Sequence, residues 1–93
     1  MEYEYDVDKS HKNMEIRGFD FEFAARIFDG TYVEWADTRR NYGEPRFIVL
    51  GPIDDEAFVV VYTWRDGRRR IISARRASRR ERDVYNQAQT KGG

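Results

Sequence analysis

Nine arginines lie between positions 65 and 82, and they give that stretch the strongest chemical bias in the chain. Only Asp66 and Glu81 oppose them there, so the stretch carries a net charge of +7. A guanidinium is planar, forms paired hydrogen bonds to phosphate and stacks on bases, which a lysine ammonium does not do. The stretch therefore predicts a surface for an anionic partner; a solvated charged face is the alternative.

The net charge of the whole chain does not show this bias, because 17 basic and 17 acidic residues give a total of zero. Residues 1–42 hold six basic and ten acidic side chains, and residues 43–93 hold eleven and seven. Ninety-three residues suffice for one domain with a modest core. We expect that domain to span 1–93, with a flexible tail at 90–93.

Cysteine is absent, which excludes disulfides, thiolate zinc sites and a thiol nucleophile. The first residues are acidic where a signal peptide would be basic and then apolar, and no segment approaches the length of a membrane span. We therefore expect a soluble, cytoplasmic protein that does not bind membranes.

Capping residues and apolar spacing predict two helices near the N-terminus, after a short strand at 3–5. Asp6 caps a helix of about 7–17 that Gly18 ends, and Asp20 caps a second helix. The second helix carries an apolar stripe at positions i, i+3, i+4 and i+7, formed by Phe21, Ala24, Ala25 and Phe28. That stripe must pack on another element.

The pattern then changes to strands, predicted at 32–35, 46–50, 57–65 and 68–75. Asp66-Gly67 predicts a type I′ hairpin, and residues 51–55 supply the preceding turn through Gly51-Pro52 and Asp54-Asp55. Ser78 and Glu81 form a capping box that begins a final helix of about 79–89. The order predicts an α+β fold, a small antiparallel sheet with two N-terminal helices packed on one face and a C-terminal helix.

Alternation along the strands sorts their side chains between two faces. One face takes Phe47, Val49, Tyr62, Trp64, Ile72 and Ala74, which we expect to cover the core. The other face takes Ile48 and Ile71, together with polar residues that we expect to form a concave surface: Glu44, Arg46, Thr63, Arg65, Ser73 and Arg75. Val59 and Val61 share this second parity, so the polar face could be partly buried.

Each polar candidate also has a structural interpretation. Glu44 and Arg46 could form a cross-strand ion pair, and Ser73 could be an ordinary strand hydroxyl. The capping box already explains Glu81, and Tyr85 could anchor the edge of the core instead of stacking on a base or donating a proton. Arg65 and Arg75 would repel each other on one patch unless an anion or a carboxylate joined them.

Other titratable residues are weak candidates. His11 is expected on the surface of a polar helix. The acids at 54–56 indicate a turn and not a metal site, because three adjacent carboxylates cannot all point inward at a metal. We expect neither a metal nor a cofactor.

The chain resembles the BrnT toxin family, whose fold is RelE-like. The beginning of the chain is similar to that family's N-terminal pattern, through Tyr5-Asp6, Lys9, Asn13 and Arg17-Gly18, followed by Phe21 and Ala24. The start of a later strand is similar to the family's Gly-Glu-x-Arg pattern, through Gly43-Glu44-Pro45-Arg46. The most specific segments are VYTWR at 61–65 and RIISARRAS at 70–78, followed by Glu81-Arg82 and Tyr85. Arg17 stands where the family usually has histidine, and either cation suits a helix end.

The resemblance implies a ribonuclease toxin of a type II toxin–antitoxin system. It also implies a BrnA-like antitoxin that binds operator DNA, in a complex of two toxins and two antitoxins, whereas the free toxin is monomeric. We expect the antitoxin to contact Arg79, Arg80 and Arg82, and RNA to contact Thr63, Arg70, Ser73 and Arg76.

RNA carries its own nucleophile in the 2′-hydroxyl, so cleavage needs a base, cations for the phosphorane and an acid for the leaving 5′-oxygen. We expect Arg65 and Arg75 on the phosphate and Glu44 or Glu81 as the base. Arg46 or Tyr85 would assist the leaving group. Two alternatives remain. The chain could be a non-catalytic nucleic-acid-binding module, whose affinity would depend steeply on salt concentration. It could also be an interaction protein that binds an acidic partner.

Overall fold

Five strands and three helices make up the computed structural model, which describes residues 2–92. The strands are β1 (Tyr3–Tyr5), β2 (Val33–Ala36), β3 (Phe47–Ile53), β4 (Glu56–Arg65) and β5 (Arg68–Arg76). The helices are α1 (Val7–Arg17), α2 (Phe21–Ala24), which continues as a 3-10 turn over Ala25–Asp29, and α3 (Arg79–Gly92). No helix among residues 2–92 is both long and apolar enough to cross a membrane.

One mixed sheet holds all five strands, in the order β1-β5-β4-β3-β2. β2 to β5 pair as antiparallel neighbours, as expected, whereas β1 lies at the edge and runs parallel to β5. The α+β class is thus confirmed, with a mixed sheet in place of an antiparallel one. The parallel pair joins residues 3–5 to 69–71, a separation over which local patterns carry no information.

The two N-terminal helices begin and end where their capping residues predicted. The Asp6 carboxylate accepts from the Lys9 amide at 3.0 Å, and Gly18 ends α1 with φ 85°. α1 docks through polar contacts: the Ser10 hydroxyl accepts from the Phe21 amide and the Asn13 amide donates to the Phe19 carbonyl, both at 2.9 Å. Buried hydrogen bonds therefore replace an apolar stripe on α1.

Two clusters of buried side chains lie on opposite sides of the sheet. The larger one lies under α1 and α2, on what we call the helix face, and consists of Phe19, Phe21, Ala24, Ala25, Ile27, Val49, Ile53, Phe58, Val60, Tyr62, Ile71 and Ala74. The smaller one lies on the other face, under α3, where Leu50, Val59 and Ala77 meet Tyr85. We call that side the cavity face.

A β-bulge in β5 corrects the predicted faces of two isoleucines. Val61 pairs with Ser73 while the next residue, Tyr62, pairs with Ile71, so Ile72 is an extra residue. The extra residue reverses the alternation. Ile71, expected on the polar face, is therefore buried on the helix face, and Ile72, expected in the core, is only half-buried.

Several element ends differ from their predictions. β3 passes through Gly51-Pro52, which was expected to turn, and the turn lies at Asp54-Asp55. Proline is tolerated there because β3 pairs with β2 only as far as Leu50 and has one neighbour beyond it. α3 continues to Gly92, into the segment expected as a tail, and Gly93 lies outside the described residues.

Candidate functional site

A cavity of about 260 Å³ opens on the cavity face, between the sheet and the start of α3. Its apolar floor is formed by Ile48, Val59 and Val61. Ser73 and Arg75 form a wall beside this floor, because in the strand register Ser73 is opposite Val61 and Arg75 is opposite Val59. The full lining is Trp35, Arg39, Ile48, Val59, Val61, Ser73, Arg75 and Glu81.

Arg75 is fixed in this wall by Glu81. Its two terminal nitrogens donate to the two carboxylate oxygens at 2.7 and 2.8 Å. The Ser78 amide donates to the same carboxylate at 2.8 Å, and the Ser78 hydroxyl accepts from the Glu81 amide, which confirms the capping box. The Arg75 guanidinium, above all, lowers the pKa of Glu81 to about 2.

Arg39 is fixed in the same way by a buried aspartate. Arg39 donates to the two Asp37 carboxylate oxygens from Nε at 2.8 Å and from Nη2 at 2.7 Å, and Tyr42 adds a third side-chain donor at 3.1 Å. Asp37 is buried, and the hydrogen bonds from Arg39 hold its pKa well below the usual range.

The two arginines also influence each other. The hydrogen bonds from Arg75 to Glu81 raise the pKa of Arg75, while the positive charge of Arg39 acts in the opposite direction. Both guanidinium groups line the cavity, and each is held by its own carboxylate. A bound anion would relieve the repulsion between the two charges.

Sequence reasoning missed half of this arrangement. Trp35 lies in β2, where the sequence predicts a strand but does not show which strand it pairs with. Asp37, Arg39 and Tyr42 lie in the irregular segment after it, where neither helical nor strand periodicity sorts side chains. One signal was available: Asp37 and Arg39 are two residues apart, the same acid-to-arginine spacing as Glu44 and Arg46.

Glu44, Arg46 and Arg65 form a second cluster. Glu44 accepts from Arg46 at 3.3 Å and lies 3.6 Å from Arg65. The Arg46 guanidinium stacks on the Tyr42 ring at 4.0 Å, and Tyr42 in turn contacts Asp37. The Glu44–Arg46 ion pair exists, but it lies before β3 instead of across two strands.

Arg65 and Arg75 share the cavity face but do not converge on one patch, contrary to expectation. Arg75 pairs with Val59, and Arg65 lies six positions further along β4, about 20 Å at the spacing of an extended chain. Parity identifies the face of a residue but not its position along the strand. The two charges are accordingly compensated by different carboxylates, Glu81 and Glu44.

Of the four residues expected to bind RNA, the structure places Ser73 alone in the cavity wall. Thr63 is buried and donates to the Pro45 carbonyl at 2.6 Å. Arg70 pairs with Glu4 at 3.3 Å. Arg76 pairs with Glu56 at 2.8 Å, with its guanidinium over the Phe19 and Phe58 rings on the helix face.

Tyr85 is an anchor at the edge of the smaller core. Its ring packs against Leu50, Val59 and Ala77, and its hydroxyl donates to the Thr31 carbonyl at 2.7 Å. The cavity lining does not include it. The hydroxyl proton is therefore engaged, which argues against a role in protonating a leaving group.

Most of the arginine-rich stretch is neutralised by folding. Five of its nine arginines lie within 4 Å of a glutamate, namely Arg65, Arg68, Arg70, Arg75 and Arg76. Arg79 and Arg80, on the first turn of α3, are exposed and have no carboxylate that close among residues 2–92. Exposed Arg82 donates to the Ala77 carbonyl at 3.3 Å.

Metal ligands are not grouped in the part of the chain that the structure describes. Residues 2–92 contain no set of three or more His, Asp or Glu side chains arranged to hold an ion. The cavity instead holds two arginines, each ion-paired with its own carboxylate and each keeping N–H donors.

A family model described as the ribonuclease toxin BrnT of type II toxin–antitoxin systems matches residues 5–81 of the chain. The matched segment includes every residue that lines the cavity, and it ends at Glu81. A search of curated proteins found no match.

Proposed function

The chain belongs to the BrnT family of ribonuclease toxins of type II toxin–antitoxin systems, and on that premise we propose that it cleaves RNA at the cavity between Arg39 and Arg75. The observation that carries the proposal is the pair of guanidinium groups, each held by two hydrogen bonds to its own carboxylate. Such donors need no reorganisation when charge develops on a reacting phosphate.

Both arginines keep donors for a substrate. A guanidinium has five N–H groups. Arg39 spends two of them on the Asp37 carboxylate, through Nε and Nη2. Arg75 uses its two Nη atoms for Glu81 and leaves Nε uncommitted. The carboxylates therefore orient the arginines without blocking them.

The reaction that suits this arrangement is attack by the 2′-hydroxyl on the adjacent phosphorus. A bond forms between the 2′-oxygen and phosphorus, the bond from phosphorus to the 5′-oxygen breaks, and the products are a 2′,3′-cyclic phosphate and a 5′-hydroxyl. Negative charge grows on the phosphoryl oxygens during attack, and Arg39 and Arg75 stabilise it.

Glu81 positions Arg75 in this proposal and does not act as the base. A carboxylate with a pKa of about 2 binds a proton weakly at neutral pH. Glu44, the other expected base, is shared by Arg46 and Arg65 and does not line the cavity. Solvent takes the proton of the 2′-hydroxyl and protonates the 5′-oxygen. The Glu44, Arg46 and Arg65 cluster binds the RNA backbone beyond the cleaved bond.

Cleavage is expected without added metal, because the two guanidinium groups supply the charge that Mg²⁺ supplies to other phosphoryl-transfer enzymes. Purified protein incubated with total RNA and EDTA should yield discrete fragments. Arg39→Ala and Arg75→Ala should each lower the rate by about 10²- to 10³-fold, the loss typical of removing one preorganised donor.

The matched control is Arg26→Ala, which removes an exposed, ion-paired arginine that does not line this cavity. It should cleave at the wild-type rate. Activity that EDTA abolishes and Mg²⁺ restores would defeat the metal-free proposal. Full activity in a folded Arg75→Ala protein would remove this cavity from the mechanism.

We further propose that this cleavage inhibits translation and arrests growth in the cytoplasm. The partner is a BrnA-like antitoxin that binds operator DNA in a complex of two toxins and two antitoxins. Membership of a type II family implies a protein antitoxin. The exposed Arg79, Arg80 and Arg82 on α3 offer its acidic segment a surface whose charge is not neutralised by nearby glutamates.

A further inference from the structure

Trp35 is a large aromatic side chain that lines the cavity and is only partly buried. It lies in β2, pairs with Ile48 in the register, and lines the cavity together with the two arginines. Its side chain is 44% exposed, and it belongs to neither buried cluster. Among residues 2–92, no aromatic ring or guanidinium stacks on its indole.

The other tryptophan of the chain provides the contrast. Trp64 is similarly exposed, at 50%. Its ring, however, meets Tyr62 edge-on at 5.7 Å and lies 4.7 Å from the Arg69 guanidinium. Trp64 is thus explained by packing at the helix face, whereas Trp35 lines the cavity without a stacked partner among residues 2–92.

The cavity beside Trp35 has two chemically different parts. Ile48, Val59 and Val61 form an apolar floor, and Arg39, Arg75 and Ser73 supply hydrogen-bond donors next to it. Its volume of about 260 Å³ falls below the about 300–1,000 Å³ typical of sites for drug-sized ligands. A planar base against the indole with its phosphate on the arginines matches that division.

From this geometry we propose that Trp35 is a stacking platform for the base next to the bound phosphate, and that this chain thereby selects single-stranded RNA. The inference rests on the proposed function and adds its substrate class. In a duplex, both faces of each base are covered by its neighbours, so only an unpaired base can stack on an aromatic side chain. Trp35 acts in substrate selection, and the arginines act on the phosphate.

The two tryptophans allow a direct test by fluorescence. Trp64→Phe leaves Trp35 as the only indole, and Trp35→Phe leaves Trp64. The probe is a short single-stranded oligoribonucleotide with 2′-O-methyl groups, which cannot be cleaved by attack of its own 2′-oxygen. We expect the probe to quench Trp35 and not Trp64. We expect a duplex of the same sequence to quench neither.

Affinity for the same probe gives the second measurement. Trp35→Ala should weaken binding by about ten- to a hundredfold, the range that removal of a stacked aromatic typically produces. Trp35→Phe should retain most of the affinity, because a benzene ring also stacks.

Equal quenching by single strand and duplex, quenching of Trp64 alone, or wild-type affinity in Trp35→Ala would each overturn the inference. Since the probe is not cleaved, these outcomes do not depend on nuclease activity. A protein that cleaves natural RNA without quenching of Trp35 would keep the proposed function and lose the stacking platform.

Discussion

At the scale of single residues, the carboxylate that holds each arginine decides what that arginine can do. Asp37 and Glu81 hold Arg39 and Arg75 with their remaining donors beside a cavity. Glu4 holds Arg70 at the sheet edge, away from that cavity. The count of arginines in the sequence therefore overstates the field that a phosphate would meet, and the position of each pair matters more than the net charge.

Glu81 should make the stability of the fold depend on pH in acid. Its pKa falls from 4.5 to about 2 on folding, mainly through Arg75. The unfolded chain therefore binds more protons between these values, and the stabilisation present above pH 4.5 is lost as the pH falls towards 2. The free energy of unfolding, measured with urea, should decrease from pH 7 to pH 3 in wild type and in Glu81→Gln. The decrease should be smaller for Glu81→Gln than for wild type.

A suitable control is Glu56→Gln, since Glu56 is exposed and pairs with Arg76 away from the cavity. It should lose as much unfolding free energy as wild type over this interval. Asp37, whose pKa is also lowered on folding, contributes equally to all three proteins. If Glu81→Gln and wild type lose the same free energy, the ion pair with Arg75 does not stabilise the fold in solution.

At the scale of elements, features coded by neighbouring residues were predictable and those set by distant pairing were not. The caps at Asp6, Asp20 and Ser78 and the hairpin at Asp66-Gly67 depend on residues within one turn of each other. The bulge at Ile72 and the parallel β1 depend on pairing partners that the local pattern does not reveal.

The candidate site divides in the same way. Strand parity placed Ser73 and Arg75 on one face, and both line the cavity. Glu81, for which the capping box alone is a sufficient explanation in the sequence, joins them through its ion pair with Arg75. Parity also grouped Arg65 with Arg75, because alternation contains no information on distance along a strand. Trp35 lies in a predicted strand whose pairing partner the local pattern does not reveal. Arg39 lies in the irregular segment that follows, for which the sequence offers no periodicity.

Helix α3 should be the element that the antitoxin contacts. Arg79 and Arg80 are exposed on its first turn, where cations oppose the helix dipole and acids suit it. Arg79→Glu/Arg80→Glu should therefore leave the fold at least as stable while weakening the complex with the antitoxin by tenfold or more, about 1.4 kcal/mol. Titration of the purified antitoxin measures the effect.

The control for that titration is Lys12→Glu/Arg26→Glu, which changes the net charge equally on the helices that cover the other sheet face. It should bind the antitoxin like wild type. Equal weakening in both double variants would show that overall charge governs the affinity, and wild-type affinity in the α3 variant would remove this helix from the interface.

At the scale of the whole molecule, two glutamates of the acidic first half of the sequence pair with arginines of the basic second half. Glu2 and Glu4 flank β5, where they lie within 4 Å of Arg68 and Arg70. The helix face holds the larger core, and the cavity face keeps two carboxylate-held arginines, a free indole and the basic start of α3. The fold thereby separates the face that carries the larger core from the face that we propose acts on RNA.

In the proposed mechanism, chemistry occurs at the cavity, and the cluster of Glu44, Arg46 and Arg65 only binds RNA. Single-turnover cleavage at saturating RNA separates these roles for Arg75→Ala and Arg65→Ala. Arg75→Ala should lower the rate constant by about 10²- to 10³-fold. Arg65→Ala should leave the rate constant near that of wild type and raise the RNA concentration needed for saturation. An equal fall of the rate constant in both variants, or a fall in Arg65→Ala alone, would show that the chemistry is not confined to the cavity.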